Sequence, residues 1–131
     1  MPAITALYAG LLGLMSIAVA FPPGMMRGRL NISVGDGGNK DLLLAMRRHA
    51  NFVEWAPLAL ILIALLEMNI APKLPIHILG AALVMARASH ALSVRGDTLA
   101  GPGRAVGAMG TAVIVATTSG WLIFAFFMRM L

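Results

Sequence analysis

The side chains of this sequence that are best suited to chemistry are concentrated in residues 46–57, at the head of an apolar run that continues to Leu66. They are Arg47, Arg48, His49, Asn51 and Glu54. Arg47, Asn51 and Glu54 are spaced i, i+4, i+7, which places them on one face of a helix over two turns. Arginine binds carboxylates through paired hydrogen bonds, and a glutamate can hold an ammonium group. This face therefore suits a small ligand that carries both kinds of charge.

The chain contains no cysteine. Disulfides, thiolate metal ligands and a cysteine nucleophile are therefore excluded, and any thiol chemistry must use the thiol of a ligand. The histidines His49, His77 and His90 do not have a metal-ligand spacing such as HExxH, so no metal site is predicted.

The composition is that of an integral membrane protein, because 60% of the residues are hydrophobic and only 11% are charged. In soluble domains roughly a quarter of residues are charged. The formal net charge is +5. Its basic residues are dispersed and no aromatic residues lie between them, so we expect loops that face anionic lipid rather than nucleic-acid binding.

Crossing ~30 Å of hydrocarbon takes about 20 helical residues, and the sequence offers four such segments. The predicted spans are residues 3–22, 42–68, 74–95 and 105–128 of a single domain. Pro22 and Pro23 are predicted to end the first helix, the second to start near Asp41, and Pro57 to kink it. The predicted fold is therefore all-α, an integral membrane four-helix bundle.

The distribution of basic residues predicts the orientation in the membrane. One side holds Arg27, Arg29, Lys40, Arg47, Arg48, Arg87, Arg95 and Arg104, and the other holds Lys73 and Arg129. Cytoplasmic loops carry the excess of lysine and arginine, so the basic loops are predicted to be cytoplasmic and both termini to lie outside.

The third span carries a second polar set, Arg87 and His90, on one helix face in the same leaflet. Exposing such groups to lipid costs roughly 2.5–3.5 kcal/mol for each mid-membrane arginine or aspartate, so they must face the protein interior and pair. Glu54, about 10 Å below Arg47, and Arg87 are the predicted pair across helices. Two interpretations stay open: a network that only holds the bundle together, or a polar pocket for a ligand. Glutathione, with two carboxylates and one ammonium group, matches the charges of such a pocket.

The pattern Arg47-x-x-x-Asn51-x-x-Glu54-x-x-Pro57 resembles the signature of the MAPEG family, the membrane-associated proteins of eicosanoid and glutathione metabolism. Residues 35–38 and 87–91 are similar to the bacterial branch, and the resemblance extends over essentially the whole chain. It implies a bacterial inner-membrane homotrimer with glutathione as co-substrate, bound between neighbouring subunits. By position, Arg27, Arg47, Asn51 and Glu54 would contact glutathione, with Arg87 and His90 beside them. Arg104 resembles the catalytic arginine that stabilises the thiolate.

This sequence departs from the family pattern where many of its enzymes carry tyrosines. Trp55, His90 and Val94 stand at those positions, and the only tyrosine, Tyr8, is predicted at the far side of the membrane. The catalytic role of Arg104 also requires extra residues between Asp97 and Gly103. Ligand binding is thus better supported by the sequence than catalysis.

Two functions from different classes follow. The first is a glutathione transferase or peroxidase that acts on a lipophilic small molecule arriving from the membrane lipid. The alternative is a non-catalytic membrane subunit that binds lipid, pigment or a larger membrane complex. A small transporter is disfavoured, because four spans without a broken-helix repeat do not fit that class.

The remaining polar residues and glycines are given structural interpretations. Arg48 is predicted to point about 100° away from Arg47, toward lipid phosphate. His77 is expected to be hydrogen-bonded or snorkelling on the far side, and Glu67 to act as an interface anchor. Gly103 with Gly107, and Ala116 with Gly120, have the small-xxx-small spacing that lets helices approach closely.

Overall fold

The computed structural model describes residues 1–69, 72–93 and 102–130. Four helices make up almost all of these ranges: α1 Ala3–Leu30, α2 Lys40–Asn69, α3 Lys73–Ser93 and α4 Pro102–Met130. Each is long and apolar enough to cross a membrane by length and composition. The predicted all-α fold with four spans is confirmed. Val94, Arg95, Asp97 and the rest of residues 94–101 lie outside the described residues.

The first helix does not end at the two prolines, and that prediction was wrong. α1 continues through Pro22 and Pro23 to Leu30. The fixed φ of proline is compatible with a helix, and the backbone groups it leaves free can be satisfied by neighbouring structure within a membrane protein. The helix ends instead at Asn31, which has a left-handed φ of 53°. The Ile32 N–H closes the end by donating to the Arg27 carbonyl at 3.1 Å, as in a Schellman motif.

The second helix begins where the sequence predicted, within one residue of Asp41. The Asn39 Oδ1 accepts a hydrogen bond from the Leu42 N–H at 2.9 Å and so caps the helix, as asparagine commonly does. In the preceding loop Asp36 accepts from the Gly38 N–H at 3.1 Å. Gly37 and Gly38 both have positive φ, which glycine adopts without a steric penalty. The residues Asp36, Gly37 and Gly38 therefore form a turn before α2.

Glu67 joins the end of α2 to the start of α1 at the opposite end of the bundle. Its carboxylate accepts the backbone N–H groups of Ile4 at 2.9 Å and Thr5 at 2.8 Å, and the Thr5 hydroxyl at 2.6 Å. These N–H groups belong to the first turn of α1, where they have no partner within the helix and where a negative charge is favoured. Glu67 is thus the cap of α1, supplied by α2, rather than an interface anchor.

Two further contacts organise this end. The Tyr8 hydroxyl lies 3.0 Å from His77 Nδ1, so His77 is hydrogen-bonded, as predicted. Arg129 donates to the Asn69 side-chain oxygen at 2.8 Å and to its backbone carbonyl at 2.6 Å. Since α1 begins and α2 and α4 end here, both chain termini lie at one end of the bundle.

The helices pack around a core that includes Leu12, Phe52, Ile63, Leu83 and Ile114. The most extensive packing joins α3 and α4, and α1 contacts α2 and α3. Among the described residues α1 and α4 do not contact each other. Large apolar side chains cover the outer surface of all four helices, as expected where the surroundings are lipid.

Glycine permits a close contact between the backbones of α3 and α4. A Cβ added at Gly107 would lie 2.5 Å from the Ala86 carbonyl oxygen and 2.6 Å from the His90 backbone nitrogen. One turn earlier Gly103 lies against Ser89 and Ser93, and the Ser89 hydroxyl donates to the Gly103 carbonyl at 2.9 Å. The predicted close approach at the Gly103 and Gly107 pair is confirmed, and it fixes the axial position of α4 against the polar part of α3. The one predicted at Ala116 and Gly120 is wrong, because nothing lies within 4 Å of a Cβ added at Gly120.

Candidate functional site

Arg87 is the centre of a polar cluster that it forms with Asn51, Gly107 and Thr111. Its side chain is only 1% exposed. Its Nη1 donates to the Asn51 Oδ1 at 3.0 Å, and its Nη2 donates to the Gly107 carbonyl at 2.9 Å. The Gly107 carbonyl also accepts from the Thr111 hydroxyl at 2.9 Å. Arg87 therefore links α2, α3 and α4 through neutral oxygen acceptors. Its Nε has no hydrogen-bond partner within the described part of the chain.

The predicted pair of Glu54 and Arg87 is wrong. Arg87 bonds Asn51 and Gly107 instead. Asn51 lies almost one helical turn before Glu54, closer to the start of α2, and is level with Arg87. The glycine at position 107 lets a backbone carbonyl reach the same guanidinium. Glu54 is exposed, and no hydrogen bond or ion pair joins it to another residue in the ranges that the structure describes.

A cavity of about 200 Å³ lies beside this cluster. It is lined by Arg47, Arg48, Ala50, Asn51, Glu54, His90 and Arg104. The structure thus brings together five of the predicted site residues, from α2, α3 and the first turn of α4. We call this space the polar cavity. Three arginines and one glutamate are among its lining residues, a combination that suits an anion which also carries one positive charge.

Two of the predicted site residues do not line the polar cavity. Arg87 does not line the cavity itself, but it donates a hydrogen bond to Asn51, which does. Arg27, near the end of α1, donates through Nη2 to the Gly35 carbonyl at 3.2 Å and to the Met46 sulfur at 3.5 Å. Within one chain Arg27 therefore links the loop between α1 and α2 to α2 by hydrogen bonds.

Arg48 is a lining residue that the sequence analysis assigned to lipid. Its angle to Arg47 suggested that it points away, but it precedes Asn51 by three residues, a spacing that also shares a helix face. The i, i+3 spacing of Arg48 and Asn51 could therefore have identified Arg48 as a lining residue from the sequence. Arg48 is half-buried and, like Arg104, makes interactions with other groups of the chain.

Arg48 also lines a second, apolar cavity of about 350 Å³. The other lining residues come from α1 and α3: Met15, Ala18, Val19, Ala88, Ala91 and Leu92. One arginine is thus part of the wall of both spaces, so the structure brings a polar and an apolar cavity together on the same side chain.

The polar cavity has no tyrosine among its described lining residues, and Tyr8 is at the opposite end of the bundle, bonded to His77. Its hydrogen-bond donors are guanidinium groups, the Asn51 amide and the His90 ring. No three histidine, aspartate or glutamate side chains among the described residues are placed to hold a metal ion.

Comparison with known proteins identifies one family. The sequence profile described as "MAPEG family" matches residues 5–124. The inner membrane protein YecN of Escherichia coli strain K12 is 37% identical over 87 residues, which are 66% of this chain and 66% of that protein. YecN of Escherichia coli O6:H1 matches with the same identity and coverage. The chain thus aligns with slightly less than two thirds of the length of these relatives. No solved structure matches it.

Proposed function

This chain belongs to the MAPEG family of membrane proteins, and on that premise we propose that its polar cavity binds glutathione for reaction with a lipophilic electrophile. The observation that carries the proposal is that Arg47, Arg48 and Arg104 line one cavity together with Glu54, which is exposed and has no partner among the described residues. The arginines suit the two carboxylates of glutathione, and Glu54 suits its ammonium group.

The dimensions of the polar cavity favour a site completed by a second subunit. Its volume of about 200 Å³ is below the roughly 300–1,000 Å³ of typical small-molecule pockets. Two of its lining residues, Arg47 and Glu54, are exposed. We therefore propose a homotrimer in which a neighbouring chain closes the cavity, and in which Arg27 reaches glutathione across the boundary between subunits. Chemical crosslinking in detergent tests this: a ladder that stops at dimers would contradict it.

Arg104 is proposed to stabilise the thiolate. A cation close to a thiol lowers its pKa and so increases the fraction of the nucleophilic form. The thiol releases its proton to water, and the thiolate sulfur attacks an electrophilic carbon. A carbon–sulfur bond forms, the bond from that carbon to the leaving group breaks, and the leaving group departs with its electron pair. The apolar cavity beside Arg48 is the proposed place for the lipophilic part of the electrophile.

The localisation is proposed to follow the charge pattern. The family and the inner-membrane relatives support a bacterial inner membrane protein. The predicted orientation would place the polar cavity at the cytoplasmic side, where glutathione is available in cells that make it.

The second candidate function is a non-catalytic membrane subunit, favoured by the absence of tyrosine from the described lining of the polar cavity. The two are separated by incubating the purified protein with glutathione and 1-chloro-2,4-dinitrobenzene, and measuring the thioether. We expect formation above the uncatalysed rate, at least about tenfold slower in Arg104→Ala and unchanged in Arg29→Ala, whose side chain is exposed outside the cavity. Saturable glutathione binding without thioether formation would instead support the non-catalytic subunit.

A further inference from the structure

We infer that Arg87 is a positioning residue that determines which end of the Asn51 amide faces the polar cavity. The amide oxygen and nitrogen of asparagine have nearly the same shape, so their placement follows from their hydrogen-bond partners. A guanidinium group can only donate. The Asn51 atom that lies 3.0 Å from Arg87 Nη1 must therefore be the carbonyl oxygen.

Arg87 has little freedom to release Asn51. The side chain is 1% exposed, and its Nη2 is bonded to the Gly107 carbonyl at 2.9 Å. The close approach of α4 at Gly107 holds that carbonyl against α3. The guanidinium is thus fixed between α2 and α4, and the Asn51 oxygen stays engaged with it.

The opposite end of the amide is left for a ligand. Asn51 lines the polar cavity, and no described residue accepts a hydrogen bond from its Nδ2. At this point the cavity therefore presents a hydrogen-bond donor and no acceptor. It selects a ligand oxygen, from a carboxylate or an amide carbonyl, and disfavours an ammonium group. For glutathione, on which the inference rests through the proposed function, the ammonium group then belongs at Glu54 and an oxygen at Asn51.

The substitution Asn51→Asp tests this directly, because an ionised carboxylate has the shape of the amide but can only accept. Arg87 keeps an oxygen partner, now a charged one. We expect a thermal midpoint at or above that of the parent protein. The cavity loses its donor, so the Kd for glutathione should rise about tenfold or more, the effect of one charge-assisted hydrogen bond.

A matched variant separates the loss of the donor from the added negative charge. Ala50→Asp places a carboxylate in the lining of the same cavity without changing Asn51, and we expect it to weaken glutathione binding less than Asn51→Asp does. Binding by Asn51→Asp that equals the parent, or is no weaker than that of Ala50→Asp, would overturn the inference.

The thermal midpoint gives a readout that needs no ligand. Asn51→Leu removes the acceptor for Arg87 and should lower the midpoint, whereas Asn51→Asp should not. Equal losses in both variants would show that the amide oxygen does not serve Arg87, and would overturn the inference even if glutathione binds. If the parent protein binds no glutathione, the proposed function fails, and the comparison of these two midpoints still decides the orientation of Asn51.

Discussion

Two glutamates on α2 have opposite surroundings, although they are separated by less than four turns. Glu67 accepts hydrogen bonds from two backbone N–H groups and a hydroxyl of α1. Glu54 is exposed and has no partner among the described residues. The first carboxylate is therefore committed to the fold, and the second is free to bind a group from outside the chain.

These surroundings predict a separation of stability from ligand binding. Glu67→Gln replaces a charged cap with a neutral one, so we expect a loss of about 1 kcal/mol of stability and unchanged glutathione binding. Glu54→Gln should leave the thermal midpoint unchanged and weaken binding. Thermal unfolding in detergent and calorimetric titration of the same two samples measure both effects. A lower midpoint in Glu54→Gln alone would show that the roles are reversed.

The types of the functional side chains could be predicted from the sequence, but several partners could not. The i, i+4, i+7 spacing placed Arg47, Asn51 and Glu54 together, and the structure confirms that they share one cavity. The partner of Arg87 depended on whether Asn51 or Glu54 lies level with it. Which of the two is level with Arg87 depends on the relative positions of α2 and α3 along the bundle axis. The spacing of residues within one helix does not determine these positions.

Gly107 is the point at which helix packing and the polar cluster meet. It allows α4 to approach α3, and its carbonyl accepts from both Arg87 and Thr111. A side chain at this position would have to displace the backbone of α3 at Ala86 and His90. Backbone atoms cannot move aside as the end of a flexible side chain can.

Gly107→Ala should therefore lower stability by about 1–3 kcal/mol, the usual effect of overpacking. It should also weaken glutathione binding, since Arg87 would lose its fixed position. Gly120→Ala is the matched control on the same helix, because nothing lies within 4 Å of the added Cβ. That variant should be neutral or more stable by up to about 1 kcal/mol, the difference in helix propensity. Equal thermal midpoints for the two variants would contradict the close approach.

The ends of the helices were only partly predictable. The start of α2 follows from Asn39 and Asp41, which satisfy and complement the first turn. The end of α1 does not follow from Pro22 and Pro23, because inside a protein the helix can continue past prolines when packing supplies what they remove. Pro23 is indeed buried in the bundle. The local preference of proline is weaker here than the packing of the whole helix.

The fold as a whole was the most predictable level. Four long apolar segments with few charges permit little other than membrane-spanning helices, and all four are present. The sequence did not predict the closure of the far end by Glu67, Tyr8 and Arg129. Each of these contacts joins residues 60 to 69 positions apart in the chain, so it depends on the completed bundle.

The orientation in the membrane can be tested with single cysteines, since the natural chain has none. Ser33→Cys lies in the exposed loop after α1, and Lys73→Cys is exposed at the start of α3. An excess of basic residues on the side of Ser33 predicts that this side is cytoplasmic. A membrane-impermeant maleimide should label the Lys73→Cys protein in intact spheroplasts, and the Ser33→Cys protein only after the membrane is broken. The opposite labelling would invert the topology.

The central claim is that the polar cavity binds glutathione, and the most direct measurement is a calorimetric titration of the detergent-purified protein. Arg47→Ala removes an exposed lining arginine, and Arg29→Ala removes an exposed arginine outside the cavity. We predict saturable binding by the parent and by Arg29→Ala, and binding weakened about tenfold or more by Arg47→Ala, with the oligomeric state unchanged. No saturable binding to the parent at millimolar glutathione, or equal binding by Arg47→Ala, would contradict the account.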